Sequence, residues 1–318
     1  MALFLGTVDL ASSRQVRGAK VTAQEMMDAL YAAFGDNHSR ALYAKGVLLE
    51  GRFVPDPGAR ALSSAMLFAH DDASVLARFS NFTGIPALPD AAVDSNPRGL
   101  ALKFRTPYAA ELDVVAHSVD GFPTRTAAEF RQLLLAIGLS RADADRPTAL
   151  DRFLAAHPIA NQFFAASRPP LSYATLGYFG VNAFRFTNPR GAPYHVRYRF
   201  IPRAAEQFLD ATSAGAQDPD YLVEEIRQRC AREPIFFDWT VQIAEPGDTI
   251  DDPSVSWPHT RRLQRLGLIA LTRLVPDQDE QDRKALFLPG NLPDGIAAAD
   301  PMVAIRCAAY PLSYRHRQ

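Results

Sequence analysis

The sequence predicts an α+β protein, in which an antiparallel β-barrel carries flanking helices. About seven segments alternate apolar and polar residues with the two-residue period of a β-strand, and turn residues join them. Helix signals cluster elsewhere in the chain, which favours an antiparallel sheet over alternating βαβ units. A sheet of so many strands must close or cover its edges, so we expect a barrel.

The first predicted element is a helix that begins after Thr22. Thr22 and Glu25 have the spacing of a capping box, in which each side chain accepts a hydrogen bond from a backbone N–H of the first turn. Apolar residues then recur on one face as far as Gly35, a residue at which helices commonly end. Signals of the same kind predict further helices over Thr126–Gly138, Ala149–Ala156 and Pro219–Ala231.

The clearest strand is His195–Phe200. Arg197 and Arg199 lie on one of its faces, and three apolar residues lie on the other. Six more segments have a strand-like composition: Val47–Val54, Gly99–Thr106, Leu112–Ser118, Val181–Thr187, Asp238–Ile243 and Gly267–Leu274. These seven strands are the basis for the predicted barrel.

The charge balance and the cysteine count exclude several classes of protein. Lys and Arg number 34 and Asp and Glu 35, so a formal net charge of −1 gives no surplus of basic side chains to attract nucleic acid or an anionic membrane. The longest apolar runs, such as Gly267–Leu271, are far too short to cross a bilayer, and the first residues lack the pattern of a secretory signal. Cys230 and Cys307 indicate free thiols in a reducing compartment. We therefore expect a cytoplasmic protein with no nucleic-acid or membrane partner.

The common catalytic motifs are absent from the sequence. It has no glycine-rich phosphate loop and no Gly-x-Ser-x-Gly elbow. Its 7 histidines are not spaced as the ligands of a zinc site. No internal repeat or low-complexity linker divides the chain. The function must therefore rest on a less generic group of residues.

The C-terminal segment contains such a group. Asp300 and Pro301 are typical of the N-cap and first position of a helix. Arg306 and Tyr310, four residues apart, then lie on one face, and Arg317 lies near the same stripe if the helix continues through an internal proline. A guanidinium beside a phenol favours the phenolate, and a tyrosinate is one of the few protein ligands of haem iron. On this segment alone, an amphipathic helix with an ordinary Arg–Tyr contact is the simpler interpretation.

Further motifs along the chain reverse that preference. The Arg-x-x-x-Tyr pattern, followed by Pro and by Arg-His-Arg, resembles the proximal haem-ligand helix of the catalase superfamily. Five upstream segments are similar to landmarks of that family and occur in its order: Arg40–Gly46, Arg78–Gly84, Asn96–Phe104, Leu112–Ser118 and Ser256–His259. The resemblance extends from about residue 40 to the last residue.

The chain ends one residue after Arg317, and this shortness resembles the minimal catalase-related peroxidases, which lack the C-terminal helical domain of large catalases. The resemblance implies a single catalase-like haem-binding domain over residues 1–318. Within it, residues 1–38 would form an N-terminal helical segment and residues 300–318 the proximal haem-ligand helix. It also implies haem b, with its iron, as the cofactor and a homodimer as the assembly.

The resemblance assigns roles to individual residues. Tyr310 matches the axial iron ligand, and Arg306 matches the arginine that keeps this ligand ionised. Three arginines match those that bind the haem propionates: Arg40, Arg78 and Arg317. Buried carboxylates need such charge partners, and arginine offers a forked donor set that suits them; the alternative for any one of the three is a surface salt bridge. Phe122 matches an aromatic ring on the distal haem face, although a core phenylalanine would look the same.

Two positions on the distal side depart from the family pattern. The distal histidine is replaced by Tyr43, and a neutral phenol is a poor base at neutral pH. The distal asparagine is replaced by His117. We hypothesise that the two polar roles are exchanged, with His117 as proton shuttle and Tyr43 as hydrogen-bond donor; alternatively, His117 lies away from the haem and the pocket has lost its base. Ser80, which matches the serine that orients the distal histidine, would then bond the Tyr43 hydroxyl.

The resemblance implies a haem-dependent peroxidase, which uses H2O2 or an organic hydroperoxide to oxidise a small organic co-substrate and has weak or no catalase activity. Two alternatives remain open. A hydroperoxide isomerase or dehydratase, similar to the catalase-related allene oxide synthases, would keep the tyrosinate and rearrange fatty-acid hydroperoxides. A haem-binding sensor or carrier without turnover would be consistent with the missing distal histidine.

Overall fold

The structure is a computed structural model, which describes residues 20–318 apart from positions 72, 109, 110 and 167. The strands among these residues are β1 (Gly46–Pro55), β2 (Ala73–Asn81), β3 (Arg98–Arg105), β4 (Glu111–His117), β5 (Tyr178–Thr187), β6 (Pro193–Pro202), β7 (Ile235–Ile243), β8 (Leu263–Leu274) and β9 (Ile296–Ala298). The α-helices are α1 (Ala23–Phe34), α2 (Ala127–Gly138), α3 (Ala149–Ala156), α4 (Pro158–Ala165), α5 (Ala211–Gly215), α6 (Tyr221–Arg232), α7 (Gln278–Lys284) and α8 (Met302–His316). Residues 1–19 of the predicted N-terminal helical segment lie outside the described residues.

Eight of the strands form a closed antiparallel barrel. Their order around it is β4-β3-β2-β1-β8-β7-β6-β5, and the pairing of His117 on β4 with Phe179 on β5 closes the ring. The short strand β9 adds to β5. The predicted α+β fold, an antiparallel barrel with flanking helices, is confirmed.

The seven predicted strands and the four predicted internal helices are all present, but one barrel strand has no signal in the sequence. β2 is buried on both faces over most of its length, so its sequence lacks the alternation that marks a half-exposed strand. This strand carries two of the predicted site residues, Arg78 and Ser80. The short elements α4, α5, α7 and β9 are not predicted either, because each is too brief or too polar to show a clear period.

The C-terminal helix α8 begins at Met302, one residue later than the sequence predicts, and its N-cap is Pro301 rather than Asp300. The Asp300 carboxylate still accepts a hydrogen bond from the Met302 N–H at 2.8 Å. Pro311 lies inside the helix without ending it. Arg306 and Tyr310 therefore lie on one uninterrupted helix.

The interior of the barrel is a packed apolar core. Phe104 stacks on Trp239 with a centroid distance of 4.8 Å, and both rings are fully buried. Such close packing argues against a cofactor inside the barrel. A large ligand is instead expected on the outer face, where residues of α1, α2 and α8 form a second apolar cluster.

Two predictions about the class of the protein concern membrane-spanning helices and the state of its two cysteines. Among the described residues, no helix is long and apolar enough to cross a membrane. Cys230 and Cys307 are free thiols, as predicted. Burial raises the pKa of both thiols, so neither is poised to act as a thiolate ligand.

Candidate active site

One cavity brings together every residue to which the sequence assigns a site role. It lies between the outer face of β2, β3 and β4 and the helices α1 and α8, and most of its wall is apolar. The predicted residues that line it are Arg40, Tyr43, Arg78, Ser80, His117, Phe122, Arg306, Tyr310 and Arg317. Side chains that are far apart in sequence therefore meet in one place, and their contacts indicate what each can do.

A row of paired residues forms the barrel side of the cavity. Ser80 on β2 pairs with Gly99 on β3, which in turn pairs with His117 on β4. Directly paired residues point to the same face of a sheet, so the Ser80 and His117 side chains flank Gly99. A Cβ atom on Gly99 would lie 2.5 Å from Ser80 Oγ and 2.8 Å from Tyr43 Cδ1. The Tyr43 ring therefore lies over Gly99, in space that only glycine leaves open.

Tyr43 is held beside this row by its backbone. Its φ of 58° lies in the left-handed region, its N–H donates to the Phe82 carbonyl at 2.9 Å, and its carbonyl accepts from Arg78 Nη1 at 2.8 Å. Burial, with a smaller contribution from Tyr310, raises the pKa of the Tyr43 phenol well above its usual range. Tyr43 is therefore a neutral donor at physiological pH. Among the hydrogen bonds of the described residues, none joins Ser80 to the Tyr43 hydroxyl, so this predicted contact is not formed.

The two ring nitrogens of His117 have different surroundings. Nδ1 accepts a long hydrogen bond of 3.4 Å from the Val119 N–H, whereas the buried Nε2 has no partner among the described residues. Burial, together with the charge of Arg306, lowers the pKa of His117 to about 3, so the ring is neutral at physiological pH. Because Nδ1 accepts, we assign the proton to Nε2. An Nε2–H group donates a hydrogen bond, so this tautomer favours a donor role, and the proton-shuttle role of His117 stays a prediction.

Phe122 lies on the cavity wall beside His117. The two ring centroids are 6.4 Å apart, and the Phe122 centroid lies 4.9 Å from that of Phe130 on α2. Phe122 thus borders the cavity and also packs against the apolar cluster of α1, α2 and α8. Both roles that the sequence suggests for this ring are compatible with its position.

A chain of hydrogen bonds on α8 ends at Tyr310. Arg306 Nε donates to the Tyr310 hydroxyl at 2.9 Å, and Arg306 Nη1 donates to the amide oxygen of Asn182 on β5. The Asn182 amide nitrogen donates in turn to Asp300 at 2.7 Å. The charge of Arg306 is thus held against Tyr310 by Asn182 on a barrel strand and by Asp300, which precedes α8. Helical spacing predicts the first contact, whereas nothing in the sequence signals the link through Asn182.

Three arginines gather at one end of the cavity, around the carboxylate of Asp282. Arg78 makes a forked contact with it, in which the Nε–Oδ1 and Nη2–Oδ2 distances are 2.5 and 2.9 Å. Arg40 Nη2 lies 3.0 Å from Asp282 Oδ1 and 2.9 Å from the Ala285 carbonyl oxygen. Arg317 Nη2 donates to the same carbonyl at 2.7 Å. The three arginines predicted to bind propionates are therefore close together, but Asp282, near the end of α7, has no signal in the sequence.

The charges of this cluster suit an anionic ligand. Burial, together with the charge of Arg78, lowers the pKa of Arg40 to about 9 and that of Arg317 to about 10, so both stay charged at neutral pH. Burial alone would raise the pKa of Asp282, but the charges of Arg78 and Arg40 hold it well below its usual range. Three positive charges and one negative charge leave a surplus of positive charge, which suits a ligand with carboxylate groups.

The cavity as a whole fits a haem. Its apolar wall suits a flat aromatic ring, its arginines suit two propionates, and Tyr310 offers an oxygen ligand that haem iron accepts. Two buried donors on the wall, Arg40 Nε and His117 Nε2, have no partner within the described part of the chain. Unpaired buried donors of this kind are expected where a polar ligand binds.

A second group of histidine and carboxylate side chains lies on the surface. His316 Nε2 lies 2.8 and 2.9 Å from the two Asp36 oxygens, and His38 Nδ1 lies 3.9 Å from Asp36 Oδ1. The spacing of the histidines in the sequence does not reveal this grouping, because the segment after α1 and the end of α8 meet only in the fold. All three residues are exposed, and a surface ion pair accounts for them.

A family model and two related proteins match this chain over most of its length. The Catalase family model matches residues 22–318. A catalase-related peroxidase from Synechococcus elongatus is 30% identical over 303 residues, which cover 93% of this chain and 89% of that protein. A catalase-related peroxidase from Mycolicibacterium paratuberculosis is 34% identical over 303 residues, which cover 93% of this chain and 95% of that protein.

Solved structures agree with the observed fold. A fungal catalase has a TM-score of 0.78 and 21% identity, over 88% of this chain and 59% of its own. Catalase A from Saccharomyces cerevisiae has a TM-score of 0.77 and 21% identity, over 88% of this chain and 61% of its own. The chain thus spans about three fifths of the length of these two catalases. Because the family model covers nearly the whole chain, the predicted membership is confirmed, and the chain belongs to the catalase family.

Proposed function

We propose that the protein is a haem b peroxidase, which uses H2O2 or an organic hydroperoxide to oxidise a small organic co-substrate and has weak catalase turnover. Family membership and the names of both relatives indicate an oxidoreductase that acts on peroxide. The observation that supports the finer proposal is that one cavity contains two pairs of polar residues. Arg306 and Tyr310 form one pair, and the neutral donors Tyr43 and His117 form the other.

Residues of this chain would hold the haem at two points. Tyr310 would supply an oxygen ligand to the haem iron, and Arg306, whose Nε lies 2.9 Å from that oxygen, would stabilise its negative charge. Arg40, Arg78 and Arg317 would bind the propionates through charge-assisted hydrogen bonds. When bound, haem supplies the redox chemistry, while the protein supplies its binding, orientation and electrostatics.

Tyr43 and His117 bind and orient the peroxide. The Tyr43 hydroxyl and the His117 Nε2–H both donate hydrogen bonds, so they stabilise negative charge that develops on a peroxide oxygen. Neither group accepts a proton at neutral pH, and the pair therefore lacks a strong general base. Ser80 and Phe122 border the same space and limit it. We expect slow cleavage of H2O2 and weak release of O2.

Optical assays of the haem-loaded protein test this function. H2O2 and a lipid hydroperoxide are each added with and without a phenolic co-substrate, while haem absorbance, remaining peroxide and O2 are followed. We expect oxidation of the co-substrate with little O2. Loss of the lipid hydroperoxide without a reductant would instead indicate a hydroperoxide isomerase, and no reaction would indicate a haem carrier.

The assembly and the location of the protein are part of the same proposal. The family resemblance implies a homodimer, and the two free thiols favour a reducing compartment such as the cytoplasm. The mass in solution, measured by size-exclusion chromatography with light scattering, tests the first of these. A mass equal to one 34.9 kDa chain would contradict the homodimer.

A further inference from the structure

The short helix α7 is attached to the arginine end of the cavity mainly by polar contacts. None of its residues is fully buried. At its start, the Gln278 side chain exchanges hydrogen bonds of 2.8 Å with both backbone groups of Leu48 on β1. Near its end, Asp282 and the following Ala285 carbonyl bind the three arginines. With so little apolar burial, this helix can move at a small cost in free energy once another anion pairs with the arginines that Asp282 binds.

Asp282 accepts hydrogen bonds from the two N–H groups of Arg78 that are best placed to bind a carboxylate ligand. Its two oxygens accept from Nε and Nη2 in the forked geometry. The other bonds of this guanidinium go to the carbonyls of Tyr43 and Ala44, at 2.8 and 2.9 Å. Four of the five N–H groups of Arg78 are thereby engaged. A second carboxylate can make the forked contact only if Asp282 gives it up.

The same contact supplies a counter-ion to buried positive charge. Arg78 is 2% exposed, and Arg40 is close beside it. Among the described residues, Asp282 is the acidic side chain that pairs with both of them. Buried guanidinium groups without a counter-ion are strongly destabilising. Asp282 therefore stabilises the cluster whenever the propionates of a haem do not.

We propose that Asp282 substitutes for a haem propionate in the apoprotein. There it binds Arg78 and Arg40, and it gives up its forked contact with Arg78 when haem binds. The proposal rests on the proposed haem function and adds a competitor that belongs to the chain itself. This competition weakens haem binding and stabilises the empty site. Removal of the Asp282 charge therefore has opposite effects on haem affinity and on the stability of the apoprotein.

Hemin titration of the apoprotein tests the proposal with the variant Asp282→Asn. We expect the Kd for hemin, measured from Soret absorbance, to fall about tenfold or more, because one charge-assisted contact no longer has to be broken. The thermal midpoint of the apoprotein is expected to fall at the same time. Asp279→Asn makes the same change of charge at an exposed position of α7, and we expect it to alter neither value.

Hemin dimethyl ester, whose propionates carry no charge, is a second probe. Asp282→Asn should bind the ester no more tightly than the wild type does. Where the variant apoprotein is too unstable to titrate, the rate of hemin loss from the loaded proteins to excess apomyoglobin replaces the titration, and slower loss is expected from the variant.

Weaker binding of hemin by Asp282→Asn, or a gain in affinity that appears equally with the ester, would overturn the competition. The first would make Asp282 a support for the arginines rather than a rival for them. Equal binding of hemin by the variant and the wild type also refutes the competition, but leaves the proposed function intact. Failure of both proteins to bind hemin would refute the haem function itself.

Discussion

Tyr43 and His117 each lie beside Gly99, and burial changes the pKa of both. It raises the pKa of Tyr43 and lowers that of His117 to about 3, so each group stays neutral in the physiological range. In its neutral form the phenol donates through its hydroxyl and the imidazole through Nε2. Two residues that titrate readily in water thus become a pair of hydrogen-bond donors that does not respond to pH.

The rate of reaction with peroxide should therefore be constant between about pH 5 and pH 8. A histidine with the ordinary pKa of about 6.5 would produce an inflection in this range, whereas His117, with a pKa of about 3, does not. Stopped-flow mixing of the ferric protein with H2O2, followed at the Soret band, measures the rate at each pH. An inflection near pH 6.5 that disappears in His117→Phe would contradict the assigned tautomer and charge.

A base at position 43 should raise catalase turnover. Histidine tolerates the left-handed backbone conformation of Tyr43, whose φ is 58°, and a well-placed general base contributes about 10² to 10⁴ in rate. We expect Tyr43→His to release O2 from H2O2 about a hundredfold faster than the wild type, as measured with an oxygen electrode. Tyr43→Phe removes the hydroxyl without adding a base, and an equal gain in that control would exclude a base effect.

Three adjacent strands, β2, β3 and β4, position the distal side of the site through their register. The pairing of Ser80 with Gly99 and of Gly99 with His117 places a residue without a side chain between two residues with polar ones. Only this order leaves room for the Tyr43 ring. The register of the sheet therefore provides the space that the Tyr43 ring occupies.

Gly99→Ala should destabilise the protein and displace Tyr43. The added Cβ would lie 2.5 Å from Ser80 Oγ and 2.8 Å from Tyr43 Cδ1, and such overpacking costs about 1 to 3 kcal/mol of unfolding free energy. Urea unfolding measures the stability, and the Soret spectrum of the loaded protein reports on the displaced ring. Gly215→Ala is the matched control, since its Cβ would have no neighbour within 4 Å. Equal stability of the two variants would show that the ring does not lie over Gly99.

The secondary-structure elements also explain why the sequence predicts some site residues and misses others. Arg306 and Tyr310 are predictable because helical spacing alone brings them together on α8. Asp282 lies on a polar helix of 7 residues that has no apolar periodicity, and Asn182 reaches Arg306 only through the packing of β5 against α8. The proton on Nε2 of His117 likewise depends on a backbone N–H that meets the ring only in the fold. Tertiary contacts of this kind leave no local pattern to detect.

Over the whole molecule, a formal net charge of −1 conceals an interior that contains several charged groups. Arg78 and Arg317 are buried near Asp282, and each charge is stabilised by neighbours from distant parts of the chain. His117 is buried as well, but it is neutral. The pH dependence of folding should therefore depend on these buried groups more than on the balanced surface charge.

The stability of the fold should fall as the pH is lowered from neutral. His117 has a folded pKa of about 3 and an unfolded value of about 6.5, so the unfolded chain binds a proton that the folded protein excludes. This contribution is fully present above about pH 6.5 and is lost as the pH falls towards 3, at about 1.4 kcal/mol per pH unit. Asp282, whose folded pKa is held low, adds a loss of stability only below its unfolded value of about 3.9.

The loss between pH 7 and about pH 4.5 should therefore report mainly on His117, since Asp282 still contributes there. We expect the apoprotein to lose about 2 to 3 kcal/mol of unfolding free energy over this range, as measured by urea unfolding at each pH. His117→Phe has no proton to bind at this position, so its stability should fall less over the same range. Parallel losses in the wild type and the variant would mean that His117 is solvated or charged in the fold. The donor role assigned to it on the distal side would then be wrong.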